Sequence, residues 1–195
     1  MNDPGNPAPG ALEAVRGFVD THDIYNGRDE LADVEAATEW LTAEGLWGKG
    51  RSMTGRELSA LHELRDALRA MAAANTLGEQ PPRAAVDSFN DLAAPHAASV
   101  RLDVRNGSGP MTASLRPHEE GIGGVVAVLA AAVHEAVLLG TWTRLKSCDN
   151  PECRWLFYDE SRNRAARWCS MRGCGSIVKA RRYRDRQRRS AGHAP

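Results

Sequence analysis

The chain has 195 residues, enough for one ordinary domain and a small appendage, and 42% of them are hydrophobic, which is usual for a packed core. No segment reaches the roughly 18 consecutive apolar residues of a membrane helix, and the first ten residues lack the basic and apolar regions of a secretion signal, so we expect a cytoplasmic protein. The zero net charge is unevenly divided. Residues 1–140 hold 11 basic and 20 acidic side chains, whereas residues 141–195 hold 14 and 5, which indicates a basic end that contacts a polyanion.

The first 45 residues of the acidic part of the chain predict a disordered terminus followed by two short helices. Residues 1–10 hold three prolines and two glycines and almost no apolar side chains, so we expect this segment to be disordered. Apolar residues then recur at helical spacing over residues 11–19 and again over residues 31–41, where Gly45 closes the run.

The third and fourth helices have clear boundary signals. Thr54 and Glu57 form the pattern of a capping box, apolar residues follow at steps of three and four, and the helix should stop near Gly78. The pair Pro81-Pro82 lies where a further helix can begin, and Pro95 should interrupt it.

A hairpin and a long apolar helix complete this part of the chain. Apolar and polar residues alternate on both sides of an Asn-Gly-Ser-Gly segment at 106–109, which predicts a β-hairpin over residues 98–115. Residues 119–141 are so rich in Ala, Val and Leu that most of the helix circumference should be buried. We therefore expect an α+β fold with a mostly helical, acidic N-terminal domain and one hairpin over residues 11–145.

The four cysteines of the chain lie within 27 positions, spaced as Cys-x4-Cys, fifteen residues and Cys-x4-Cys. In a reducing compartment this spacing favours a metal site over two disulfides or four free thiols. Two knuckles would supply a tetrahedron of thiolates, which suits zinc best, with iron as an alternative. Because sulfur fills all four positions, we predict one structural zinc ion and no catalytic metal, with these ligands: Cys148, Cys153, Cys169 and Cys174.

The segments around the cysteines predict a small finger. Residues 154–159 alternate around Trp155 and Phe157 like a short strand, and residues 177–189 contain neither Pro nor Gly and predict a helix. Knuckle, hairpin and helix together predict a treble-clef-like zinc finger over residues 146–190, with a tail at 191–195.

The C-terminal helix carries a dense cationic run with a single acid. Arg binds phosphate bidentately and reads guanine edges, and a helix fits the major groove of DNA. Docking onto the acidic domain or a partner and a merely solvated face are the alternatives, but the run lacks the alternating charges of a soluble face. We therefore predict contact with nucleic acid by these residues: Lys179, Arg181, Arg182, Arg184, Arg186 and Arg188.

Two stretches around the cysteines form a recognisable pattern, CDNPECRWLFYDESRN at residues 148–163 and RWCSMRGCG at residues 167–175. They resemble the CGNR zinc finger, which ends bacterial stress-induced transcription regulators behind an ABATE domain. Where that family has Asn and Arg after the Cys-Gly pair, this chain has Ser176 and Ile177, so no DNA contact is carried over from the family Arg.

A looser resemblance to the ABATE domain lies upstream, in residues 18–21, 40–41, 64–68 and 89–90. It implies a polar cavity for a small-molecule effector in the N-terminal domain, with helix-capping and turn roles as the alternative, and with these residues facing the cavity: Asp20, Thr21, Arg65 and Asn90.

The two resemblances imply a zinc-dependent, DNA-binding transcription regulator, rather than an enzyme, whose N-terminal domain senses a ligand or forms a homodimer. An RNA- or ribosome-binding zinc module is one alternative, since phosphate affinity does not distinguish nucleic acids. An enzyme that acts on a small molecule in the N-terminal domain is the other.

Overall fold

The computed structural model describes residues 7–104 and 111–191, together with the side chains up to residue 188. About half of this part of the chain is α-helical. Its α-helices are α1 (Leu12–Asp20), α2 (Val34–Ala43), α3 (Gly55–Leu77), α4 (Arg83–Ala93), α5 (Ile122–Leu138) and α6 (Ser176–Ala191).

Short strands pair into three antiparallel, two-stranded sheets within the described residues. The fold is α+β, and the hairpin predicted over residues 98–115 is accompanied by two smaller sheets. The pairs are β1 (His22–Asp23) with β2 (Arg28–Asp29), β3 (Ala98–Asp103) with β4 (Thr112–Pro117), and β5 (Leu145–Ser147) with β6 (Leu156–Tyr158).

The boundary signals of α3 work as predicted. The Thr54 Oγ1 accepts a hydrogen bond from the Glu57 backbone N at 3.2 Å, and the Glu57 carboxylate accepts one from the Thr54 backbone N at 2.8 Å. Gly78 ends the helix with a φ of 71°, which side chains with a Cβ rarely adopt. Both ends of the longest helix are therefore fixed by local sequence.

The predicted β3–β4 hairpin is present, with Val100 opposite Leu115 and Leu102 opposite Ala113. Its apolar face is not covered by the described residues, since Val100 is 66% and Leu102 57% exposed. The predicted turn at 106–109 lies outside the described residues.

Helix α5 packs against α1, and its first two-thirds supply buried residues such as Val125 and Leu129. The prediction that most of its circumference is buried fails in the last turn, where Leu138 is 72% exposed. The C-terminal end of α5 is therefore not covered by the described residues, unlike the N-terminal part of the helix.

The main core extends across both parts of the chain. Phe18 of α1, Leu64 of α3 and Leu129 of α5 are fully buried, and Leu145 of β5 and Leu156 of β6 belong to the same cluster. Ala8 is buried beside them, and its backbone N donates to the Glu13 carboxylate at 2.7 Å. No helix in the described ranges is long and apolar enough to cross a membrane.

Candidate metal centre and nucleic-acid interface

The four cysteine sulfurs lie within 4.8 Å of one another, and Cys148, Cys153 and Cys174 are buried. The Sγ of Cys169 lies 3.8 Å from the Sγ of Cys153 and 3.8 Å from that of Cys174. A tetrahedron of sulfurs at about 2.3 Å from zinc has edges of about 3.8 Å. The spacing of the donor atoms therefore fits a closed, four-sulfur zinc site.

Four thiolates can lie this close together only if a cation compensates the repulsion between their negative charges. Hydrogen bonds from the thiols of Cys153 and Cys169 lower the pKa of Cys148 to about 2, and the Cys148 thiolate in turn raises the pKa of both neighbours above the usual range. One thiolate thus suppresses the ionisation of the others, and a dication held among the four sulfurs reverses that effect. Zinc would be held by all four cysteines and would fix the two knuckles together.

The first knuckle grows out of the β5–β6 hairpin. The Cys148 backbone N donates to the Trp155 carbonyl at 2.8 Å, which continues the hairpin by one more pair. Between them, the Asn150 carbonyl accepts a hydrogen bond from the Cys153 backbone N at 2.9 Å and closes the turn. The Asn150 side chain is fully buried, and its Nδ2 donates to the Cys174 Sγ at 3.5 Å. Asn150 therefore links the two knuckles, a role that sequence reasoning missed.

The second knuckle is a π-type turn, Met171–Gly175, that leads directly into α6. The Ser170 Oγ accepts a hydrogen bond from the Gly173 backbone N at 3.2 Å, and the Ser170 carbonyl accepts one from the Gly175 backbone N at 2.9 Å. A Cβ at Gly175 would lie 2.8 Å from the Met171 Sδ, so the exposed end of the Met171 side chain would have to shift to accommodate one. The zinc ligand Cys174 is thereby coupled to the start of the basic helix.

A buried ion pair between Lys146 and Asp159 holds the segment that connects the first knuckle to the second. The Lys146 Nζ donates to the Asp159 carboxylate at 2.8 Å and to the carbonyls of Arg164 at 2.6 Å and Ala166 at 3.2 Å, which uses all three of its donors. Although burial opposes ionisation, hydrogen bonds from Lys146 and Ser161 hold the pKa of Asp159 below its usual range. This pair orders the loop that delivers Cys169 to the site.

The polar residues predicted to face a cavity are only partly brought together. Asp20 and Thr21 line a cavity of about 650 Å³ beside α1. Arg65 lies behind them, where its Nη1 donates to the Thr21 Oγ1 at 3.2 Å and its guanidinium pairs with Asp29 at 2.6 and 2.8 Å. Asn90 is exposed on α4 and does not line this cavity.

Asp20 joins the N-terminal helix to the finger. Its Oδ1 accepts a hydrogen bond from the Leu156 backbone N at 2.8 Å, and its Oδ2 lies 3.2 Å from the Arg16 Nη1. Burial raises the pKa of Asp20 to about 8, against this hydrogen bond and the charges of Arg16 and Arg69. The sequence singled out Asp20 without any signal for its partner, which lies 136 positions away.

Comparison with known protein families assigns two consecutive parts of the chain to two family models. Residues 8–141 match the ABATE family model, described as "Putative stress-induced transcription regulator". The chain belongs to the ABATE family. Residues 144–187 match the CGNR zinc finger, which confirms the zinc finger that the cysteine spacing predicted in this ABATE protein. No curated protein matches the chain.

The CGNR finger of this ABATE protein presents α6 at its surface. Val178 is buried against the knuckle, and the predicted DNA-binding residues of the helix are exposed or half-buried. Ser176 and Ile177, at the positions of the family Asn and Arg, are exposed in the first turn of α6. The helix packs mainly against the π-type turn.

The cations of α6 fall into two groups. Near the knuckle, the Arg181 Nη2 pairs with Glu152 at 2.8 Å, the Arg182 Nη2 lies 3.6 Å from the Asp149 carboxylate, and the Lys179 Nζ lies 5.7 Å from the Trp168 ring centre. Farther out, no hydrogen bond or ion pair to the side chains of Arg184 and Arg188 exists within the described part of the chain. Arg184 and Arg188 are thus open to an anionic partner.

Proposed function

We propose that this ABATE protein is a DNA-binding transcription regulator, in which zinc holds α6 in place, α6 contacts the DNA, and the N-terminal domain senses a small molecule. The observation that carries the proposal is the outer end of α6, where Arg184 and Arg188 are exposed and have no acidic partner among the described residues. Arginine side chains left unpaired on an exposed helix are suited to phosphate contacts.

The ion pairs near the knuckle support different functions for the inner and the outer arginines of α6. Glu152 and Asp149 flank the knuckle and engage Arg181 and Arg182, which fixes the angle at which α6 leaves the finger. The outer arginines would then meet the DNA backbone, while the inner ones orient the helix. Both matched families are regulator or zinc-finger families, which supports a binding role rather than a catalytic one.

Anisotropy of a labelled DNA duplex, titrated at several salt concentrations, tests the proposal. Changing Arg184 and Arg188 together to Ala should weaken binding to all duplex sequences and flatten the log–log salt slope by about 2, since each phosphate contact contributes about 0.9. The control changes Arg28 and Arg56, which are exposed in the ABATE domain, to Ala and removes the same charge.

The control variant should bind DNA like the wild type. Full, salt-sensitive binding by the Arg184→Ala/Arg188→Ala variant would contradict the role of α6. Tighter binding of a structured RNA than of any duplex DNA would instead support the RNA-binding alternative. Homodimer formation stays a prediction, and sedimentation of the free protein would test it.

A further inference from the structure

The cavity beside α1 lies at the junction between the ABATE domain and the zinc finger. Its walls come from α1, from the end of α2 and from Trp155, which belongs to the segment that follows Cys153. The cavity volume of about 650 Å³ is within the range of roughly 300 to 1,000 Å³ that is typical of small-molecule sites.

The charges that line this cavity are predominantly negative. Its one cation within the described residues, Arg16, is engaged by the Glu13 carboxylate and lies 3.2 Å from that of Asp20. Glu30 and Glu44 are exposed at the cavity, and in the part of the chain that the structure describes no side-chain partner neutralises either of them. Two uncompensated carboxylates remain even when Asp20 is protonated.

Aromatic surface accompanies these carboxylates. Trp40 and Trp155 both line the cavity and are half-buried. An indole face attracts a cation through its quadrupole, and more strongly where the pair is removed from water. Carboxylates beside indole faces select a ligand with a positive charge and a short apolar body.

The same residues connect the cavity to the metal centre. Trp155 packs against the cysteine cluster, and its carbonyl accepts the hydrogen bond from the Cys148 backbone N. The next residue, Leu156, donates its backbone N–H to Asp20 at 2.8 Å. A ligand in this cavity would therefore contact the ABATE domain and the finger at once.

We propose that this junction cavity binds a small primary ammonium ion, with Glu30 and Glu44 as its carboxylate partners and Trp40 and Trp155 as its aromatic walls. This inference rests on the sensing role proposed above and names the place and the chemical class of the ligand. Because Trp155 belongs to the finger, binding here acts on the segment that positions the first knuckle.

Calorimetric titration with n-butylammonium at constant ionic strength tests the proposal on the full, zinc-loaded chain. Butan-1-ol and butyrate are the neutral and anionic probes of the same size. We expect n-butylammonium to bind more tightly than both, and the Glu30→Gln/Glu44→Gln variant to bind it at least about tenfold more weakly, because two carboxylate partners are lost.

The matched control is Glu35→Gln/Glu39→Gln, which removes the same charge from exposed positions of α2 that do not line this cavity. It should bind n-butylammonium like the wild type. Heteronuclear NMR locates the site, since the indole N–H signal of Trp155 should move on titration while that of Trp142, outside the cavity, should stay.

Three results would overturn the inference: equal binding of butan-1-ol or butyrate, an equal loss in the control variant, or an unmoved Trp155 signal. Duplex DNA is titrated in parallel to separate the two proposals. If the protein binds DNA but not n-butylammonium, the proposed cation site is contradicted and the proposed DNA-binding role stands. If the protein binds n-butylammonium but not DNA, the proposed DNA-binding role is contradicted and the proposed cation site stands.

Discussion

Asn150 is the residue on which the two knuckles of the finger converge. Its carbonyl closes the turn before Cys153, and its Nδ2 reaches the sulfur of Cys174 from the other knuckle. A hydrogen bond donated to a thiolate disperses its charge and orients it toward the metal. Since the side chain is fully buried, no water molecule can easily replace this donor.

Replacing Asn150 with Ala should therefore weaken zinc binding by about 10- to 100-fold, the usual cost of losing a hydrogen bond to a metal ligand. Competition with a chromogenic chelator measures this affinity. Asn163→Ala is the matched control, because Asn163 is exposed in the same finger and should leave the affinity unchanged. Equal affinities of the wild type and Asn150→Ala would show that the Cys174 sulfur needs no such donor.

Sequence reasoning found the zinc ligands but not the residues that support them. The cysteines are visible because their spacing and chemistry are specific, whereas Asn150 in an Asn-Pro pair has the appearance of an ordinary turn residue. Lys146 and Asp159 likewise give no local signal, since their pairing depends on how the hairpin brings β5 beside β6.

At the scale of elements, local signals predicted the helices better than the small sheets. Helix α3 begins and ends where its capping box and Gly78 indicate. The two-residue strands β1 and β2 show no alternation of apolar residues, and they are held mainly by a contact from elsewhere. Arg65 of α3 makes that contact by pairing with Asp29 of β2 at 2.6 and 2.8 Å.

The Asp29–Arg65 pair should make the stability of the ABATE domain depend on pH. Although partial burial opposes ionisation, the hydrogen bonds from Arg65 hold the pKa of Asp29 below its usual value. An acid with a lowered pKa in the folded state stabilises the fold above its unfolded-state pKa, and this contribution is lost as the pH falls through the folded-state value.

Changing Asp29 to Asn should cost about 1 to 3 kcal/mol at pH 7, because the buried Arg65 guanidinium loses its charged partner. The difference from the wild type should begin to shrink below about pH 4, where the aspartate of the unfolded chain becomes protonated, and should be lost as the pH falls through the lower folded-state pKa. Urea unfolding at several pH values measures this. Asp91→Asn, at an exposed position of α4 that has no charged partner among the described residues, is the control and should change stability little at any pH. A penalty for Asp29→Asn that stays constant with pH would rule out the ion pair as its cause.

At the scale of the whole molecule, the finger and the ABATE domain share one core. The sequence predicts a boundary between residues 145 and 146, and this boundary stays a prediction, but the packing runs across it. The Asn75 Nδ2 of α3 donates to the Leu145 carbonyl at 2.9 Å, and the Thr76 Oγ1 donates to the Ser147 carbonyl at 2.7 Å. Leu145 and Leu156 are fully buried against the helices.

This shared core should couple zinc binding to the stability of the ABATE domain. Zinc closes the loop between β5 and β6, so its removal should release β6 and withdraw Leu156 from the core. Leu156→Ala should then cost about 2 to 5 kcal/mol in the zinc-loaded protein. In the zinc-free protein the same change should cost less, by about 0.5 to 3 kcal/mol, because the side chain has already left its site.

Leu61→Ala provides the matched control for this coupling. Leu61 is equally buried but belongs to α3, away from the hairpin, so its cost should be the same with and without zinc. Urea unfolding of the wild type and both variants, followed by far-ultraviolet circular dichroism before and after treatment with a chelator, gives six free energies of unfolding, from which the four costs follow. If Leu156→Ala costs as much without zinc as with it, the hairpin stays docked in the absence of metal. The metal centre would then stabilise only the knuckles and α6, and a signal could not pass from the cysteine site to the ABATE core through β6.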